Sequence, residues 1–329
     1  MKKPGIIWLL TLTVISLSFC RKDINGPDNV IINQQKNWVA VTGYFLKNSG
    51  HSTHIVLVDF YNPKNYKIIT DTTMIAVEPR FSNDKQKILF GDMIHYGYGS
   101  GPQFFLYNFE DEVFQPLFIK SRMGPTGEKH IWNYDNSGFY FTKEPAWGFQ
   151  EVLFYSFLNN NVSVIKEANG PFCVYVIGLK GQDTLIVFSN NTKDTGQPIG
   201  YYLMDLEGNY LSRINNTNLE LINVKGINKK AAYNPNWNNK LGLFVYAQSD
   251  STIPGYKISV TNLDGSYFRS YTSGEYIDDY PVWGPEGKYI LFNRGLKRIM
   301  IIDVATGEVS YFLKPGDIPG SLGFRYPDY

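Results

Sequence analysis

His51 and His54, two of only four histidines in the 329-residue chain, stand three positions apart. A His-x-x-His pair can bring two imidazoles to one metal ion, but no Cys or carboxylate pattern completes a ligand set. Solvated loop histidines are therefore expected, and no metal. The other two are His95, in a Gly/Tyr-rich stretch, and His130, two residues before Trp132. Asp278 and Asp279 precede Tyr280-Pro281, as Glu78 precedes Pro79. A carboxylate pair could bind Ca²⁺ or act as acid and base. Its place within the repeat favours a structural role instead, accepting backbone N–H bonds at the blade connection. Gly97-Tyr98-Gly99-Ser100-Gly101 lacks the Gly-x-Ser-x-Gly spacing of a nucleophile elbow. Gly124-Pro125-Thr126-Gly127-Glu128-Lys129 lacks the length and the Lys-Ser/Thr ending of a phosphate loop. No catalytic residue and no cofactor are expected from these patterns.

The two cysteines have different surroundings. Lys2 and Lys3 precede an apolar run, Ile6 to Leu17, too short to span a bilayer but long enough for a signal-peptide core, so export is expected. The run ends in Leu17-Ser18-Phe19-Cys20, which resembles a bacterial lipobox, with Phe19 where a small residue is usual. That resemblance implies a lipid-modified Cys20, a signal peptide over residues 1–19 and a polar tether over 20–35. Cys173 lies in the apolar run Phe172-Cys173-Val174-Tyr175-Val176 and reads as a buried thiol. It leaves no partner for an intramolecular disulfide in the processed chain.

Composition narrows the class further. Lys plus Arg number 31 against 30 Asp plus Glu, which removes the electrostatic attraction that drives nucleic-acid binding. Apolar residues at 43% and charged residues at 19% exclude disorder. With 24 Tyr, 22 Phe, 30 Gly and 17 Pro, the chain reads as strands and turns.

The elements that must position these residues recur along the chain. One unit reads Glu78-Pro79-Arg80-Phe81-Ser82-Asn83-Asp84-Lys85-Gln86-Lys87-Ile88-Leu89-Phe90, and returns as Tyr280-Pro281-Val282-Trp283-Gly284-Pro285-Glu286-Gly287-Lys288-Tyr289-Ile290-Leu291-Phe292. Weaker copies surround Trp132 and Trp237. Each is an aromatic, a polar turn and an alternating strand, the pattern of a tight hairpin. A second hairpin follows, clearest at Ile258–Ser266 and Ile299–Glu308. The anchors Phe81, Trp132, Trp237 and Trp283 are 51, 105 and 46 residues apart, so the middle gap hides one degenerate copy, at Phe172 to Phe188. With an opening copy from Trp38 to Thr70 the count is six. Four-stranded units of this period predict an all-β, six-bladed β-propeller of antiparallel blades over residues 36–329, in one domain. The opening copy lacks its inner strand. Ser321 to Tyr326 is expected to supply it and close the ring, with Val30-Ile31-Ile32 as the rival donor.

The Pro-x-Trp/Phe element followed by an Ile-x-Val-x-Asp-x-x-Gly hairpin resembles the WD40-like repeat of TolB-type propellers across nearly all of residues 36–326. Gly284 stands where Ser is usual and Glu286 where Asp is usual, and the third and fourth copies match poorly. The resemblance implies work in the bacterial envelope through protein contacts.

In such a meander the turns after first and third strands share one face, while second-to-third and blade-to-blade connections share the other. The second set is long and aromatic here, and long loops carry function. His95, Tyr96, Tyr98, Trp147, Phe149 and Tyr256 on that face are the candidate ligand contacts, or else covers for the blade tops. The expected activity is a non-catalytic, monomeric binding or scaffolding module, lipid-anchored in the periplasm or at the outer membrane. Its partner would be an envelope protein, a peptide or a glycan, and not a nucleic acid. The alternative is a polysaccharide lyase or hydrolase using His51, His54, His95 or Asp279 at the channel mouth.

Overall fold

Period-two alternation makes each repeat a run of strands with one face to each neighbouring blade. A computed structural model describes residues 37–329 except 48–49, 71–73, 93–103, 118–129, 147–148, 168–173, 191–198, 220–221, 225–226, 251 and 296. Among the described residues there are twenty-five strands in six antiparallel sheets, and one 3₁₀ turn at Pro285–Gly287.

Blade 1 contains β1 (Trp38–Lys47), β2 (Gly50–Asp59) and β3 (Tyr66–Ile68). Blade 2 contains β4 (Ala76–Phe81), β5 (Lys87–Asp92), β6 (Phe104–Asn108) and β7 (Phe114–Leu117). Blade 3 is β8 (His130–Trp132), β9 (Gly138–Ala146), β10 (Phe149–Ser156) and β11 (Asn161–Lys166). Blade 4 is β12 (Val174–Lys180), β13 (Thr184–Ser189), β14 (Gly200–Asp205) and β15 (Tyr210–Arg213), the degenerate copy. Blade 5 holds five strands, β16 (Ile222–Val224), β17 (Ile227–Asn238), β18 (Leu243–Asp250), β19 (Tyr256–Asn262) and β20 (Phe268–Ser270). Its extra strand comes from the segment Asn215–Tyr233, which in sequence reads as a long blade-to-blade connection. Blade 6 is β21 (Asp278–Trp283), β22 (Tyr289–Arg294), β23 (Arg298–Asp303) and β24 (Val309–Leu313).

The last strand, β25 (Ser321–Asp328), pairs antiparallel with β1, Ala40 opposite Asp328 and Gly43 opposite Phe324. The chain's end thus supplies the inner strand that the opening repeat lacks. The rival segment 30–32 lies outside the described residues.

Six apolar clusters match the six blade interfaces. Blades 1 and 2 share Ile55, Leu57, Ile88 and Phe90. Blades 2 and 3 share Leu89, Leu106, Phe139 and Phe141. Blades 3 and 4 share Val152, Val176 and Val187, and blades 4 and 5 share Ile186, Phe244 and Tyr246. Blades 5 and 6 share Val245, Ile258, Ile290 and Phe292. Ring closure is the cluster of Val39, Val56 and Phe324 with Leu291, Ile299 and Leu313. Each of these buried side chains contributes roughly 1.5–3 kcal/mol relative to exposure, which no blade could gain alone.

Turn chemistry closes the hairpins of one face. Asp84, Asp135, Asp205 and Asp264 each accept the backbone N–H two residues on, as Asx-turns do. We call this the turn face, and the opposite one the loop face.

Candidate functional site

One strand from each blade, β4, β8, β12, β17, β21 and β25, lines a shared cavity of about 700 Å³. Four of them carry the same local device, an x-Pro pair with the first residue at positive φ. These are Glu78-Pro79 (φ 56°), Asn234-Pro235 (φ 47°), Tyr280-Pro281 (φ 51°) and Tyr326-Pro327 (φ 51°). The pairing register shifts at each pair, so each is a β-bulge. Proline has no N–H to give the ladder, and a bulge is where a strand tolerates that loss. Left-handed backbone at a non-glycine residue costs roughly 1–2 kcal/mol. The bulge amides are held in compensation. Glu78 N–H donates to Thr42 Oγ1 (3.2 Å), Tyr280 N–H to Asp279 Oδ1 (2.8 Å) and Tyr326 N–H to Asn293 Oδ1 (3.1 Å). All four bulge residues line the cavity. Two of them reach side chains of a neighbouring blade: Tyr280 packs edge-on against Tyr326 (4.6 Å, 85°), and Asn234 Nδ2 donates to Asp279 Oδ1 (2.8 Å).

The cavity opens on the turn face, where Asn83, Lys85, Tyr134, Gly181, Leu241 and Glu286 from the first turns of five blades form its rim. Tyr134 and Leu241 are 55% and 38% exposed there. Blade 1 contributes Tyr326 to Tyr329 instead of a turn. Asp328 accepts from Phe81 N (2.7 Å) and from Arg80 Nη1 (3.2 Å), and so ties blade 1 to blade 2. Burial pushes the Asp328 carboxyl above the usual carboxylate range, against the pull of Arg80 and the Phe81 N–H. Lys85 Nζ sits 2.9 Å from the centre of the Tyr329 ring. Burial lowers this ammonium to about 7, opposed by Asp328. Trp132 Nε1 donates to Arg80 O (3.1 Å). Trp237 and Trp283 occupy corresponding places and bury Nε1 without an acceptor among the described residues. The lining is thus aromatic and amide-rich, with Arg80 and Asp328 committed to each other.

Comparison with known proteins gives a likeness in shape and none in sequence. No protein-family model matches the chain, and no curated protein sequence matches it. Among solved structures, TolB from Acinetobacter baumannii superposes with a TM-score of 0.64 at 11% identity, over 90% of this chain and 67% of that one. A TolB assignment from Agrobacterium tumefaciens gives 0.57 at 12%, over 84% and 90%. This chain folds as a TolB-like six-bladed propeller. An oligogalacturonate lyase in complex with manganese shares the ring at a TM-score of 0.54 and 10% identity, over 86% and 76%.

In this TolB-like ring the described residues among those singled out in sequence are dispersed. His95, Tyr96, Tyr98, Trp147, Cys20 and Cys173 lie outside the described residues. Phe149 opens β10 on the loop face, paired with Ala146. Tyr256 opens β19 on the same face, half-buried and stacked on Tyr233 (5.2 Å, 23°), with burial raising its hydroxyl. His51 pairs with Leu46 in the β1–β2 ladder. His54 is a buried core histidine, not a loop one: its ring nitrogens meet Ser52 Oγ (2.9 Å) and Thr70 O (3.2 Å), and its ring packs on Phe45. His130 is also buried. Its Nε2 meets Leu89 O at 3.2 Å, and burial lowers it to about 3, so it is a neutral donor.

The two adjacent carboxylates separate. Asp278 holds Arg294 through two bonds of 2.7 and 2.8 Å, deep at the loop-face end of β21. Asp279 takes the Tyr280 amide, the structural role its position within the repeat predicts. No three His, Cys, Asp or Glu side chains converge to hold a metal ion among the described residues. The turn-face cavity itself escaped the sequence reading. Its signal was the x-Pro pair, present a fourth time at Tyr326-Pro327 in the strand recognised only as the ring's closure.

Proposed function

We propose that this protein is a non-catalytic binding module of the bacterial envelope, exported and held by a lipid on Cys20. Its site is the turn-face cavity, which takes a peptide, a protein loop or a glycan segment. The cavity carries the reading. All six blades build it, aromatic rings and amides line it, and exposed Tyr134 and Leu241 rim it. That is the composition of a recognition surface. Arg80 and Asp328 hold each other, and His130 is buried and neutral, so these three groups anchor structure. The long loops opposite remain a second surface of the same module.

Affinity capture from an envelope extract tests this. Tyr134→Ala with Leu241→Ala should weaken the recovered partner at least tenfold, as loss of central contacts does. Tyr96→Ala with Trp147→Ala should leave it within about twofold. The reverse pattern would move the site to the loop face. The polysaccharide-acting alternative draws on one observation, the shared ring of the manganese-bound lyase. Cleavage of an acidic oligosaccharide by the purified chain with Mn²⁺ would favour it.

A further inference from the structure

The first described residues fix where the N-terminal segment leaves the propeller. Asn37 O accepts from Phe60 N (2.9 Å), and Trp38 pairs with Asp59 at the start of β1. In every other blade the link into the second strand is a turn on the cavity rim. In blade 1 the first strand is β25, so that rim place is taken by the start of β1 and the end of β25. Ala40 pairs with Asp328, and Tyr329 lines the cavity. The N-terminal segment therefore starts on the turn face, about one strand spacing, roughly 4.8 Å, from the cavity-lining strand.

From this we infer that attachment through the N-terminal segment holds the disc with its turn face toward the membrane and its loop face away. The inference rests on the membrane attachment proposed above, but not on lipid at Cys20 in particular, since retention of the run Ile6 to Leu17 leaves nearly the same length. Sixteen residues, 21–36, separate Cys20 from Asn37. Fully extended they reach about 53–58 Å, and any unconstrained chain of that length averages about 22 Å end to end. To put the loop face against the membrane, the segment must cross β2 and β3, about 10 Å. It must then run the length of the ten-residue β1, about 33 Å, before passing the long connections. That path consumes nearly the whole reach. The turn-face arrangement consumes none, so the cavity faces the bilayer across a gap and the loop face is open to the compartment.

The test uses the full-length protein in membrane vesicles carrying a lipid-bound quencher. Glu207, in the β14–β15 turn, and Glu275, in the blade 5 to blade 6 connection, are both exposed and on opposite faces. Each is changed singly, Glu207→Cys or Glu275→Cys, in a Cys173→Ala background and labelled with one fluorophore. Quenching at position 207 should exceed that at 275 at least threefold. Inserting forty Gly/Ser residues after Asn29 should bring the two together. Equal quenching with the natural tether, or stronger quenching at 275, would overturn the orientation. Lipidation leaves one reactive thiol per chain and its failure leaves two, so label stoichiometry reports on Cys20 separately. A protein absent from the vesicles altogether would overturn the attachment and the orientation with it.

Discussion

Asp328 and Lys85 show how single side chains serve both closure and cavity. Asp328, 13% exposed, accepts from an amide and a guanidinium of blade 2, so removing its side chain leaves Arg80 and the Phe81 N–H without that acceptor. Asp328→Ala should destabilise the protein by about 2–3 kcal/mol in urea titration, since leaving a buried donor unsatisfied costs more than the bond contributes. Lys85 gives a pH signature of known sign. Its folded-state value is about 7 against 10.5 unfolded, so between these the unfolded chain holds a proton that the folded chain has lost. Stability then rises with pH from about 7 toward 10. Lys85→Met should remove that rise while leaving stability at pH 6 no lower than wild type, as read by chemical denaturation across pH. A slope unchanged in the variant would assign it to other groups.

At the scale of strands and blades, closure rests on β25. It contributes fully buried Phe324, the Asp328 bonds to blade 2 and the Phe324 carbonyl that accepts from Asn293 Nδ2 at 3.0 Å. Deleting residues 316–329 should lower the thermal midpoint by more than 10 °C or abolish cooperative unfolding, because both edges of an opened ring lose their partners. An unchanged midpoint would give closure to residues 30–32. This strand was legible in sequence because the first repeat begins at Trp38 one strand short while Ser321 to Tyr326 stands in surplus. The short β16, by contrast, was not visible in Asn215 to Tyr233. Its pairing with β17 is a tertiary choice that three residues of local pattern do not announce.

For the whole molecule, the fold was readable because each repeat writes its hairpins with an aromatic, a polar turn and a period-two strand, and Asp84, Asp135 and Asp264 do make those turns. The site was less readable. Long loops attract attention by length and aromatics, whereas the cavity is built from residues that look like repeat anchors: Pro235, Pro281, Trp237 and Trp283 read as structure because they are structure. Their second role, walling a shared space, exists only once six blades meet. His54 misled in the same way, since its burial depends on a neighbour 16 residues distant.

Site-specific photo-cross-linking in intact cells tests most directly that this shared space is where the protein recognises its partner. A photoreactive residue replaces Leu241 on the cavity rim or Leu158, 91% exposed on the outer part of the same face. The account predicts a discrete adduct from position 241 and none from 158. Adducts of equal yield from both, or from neither while loop-face positions such as Tyr276 react, would contradict it.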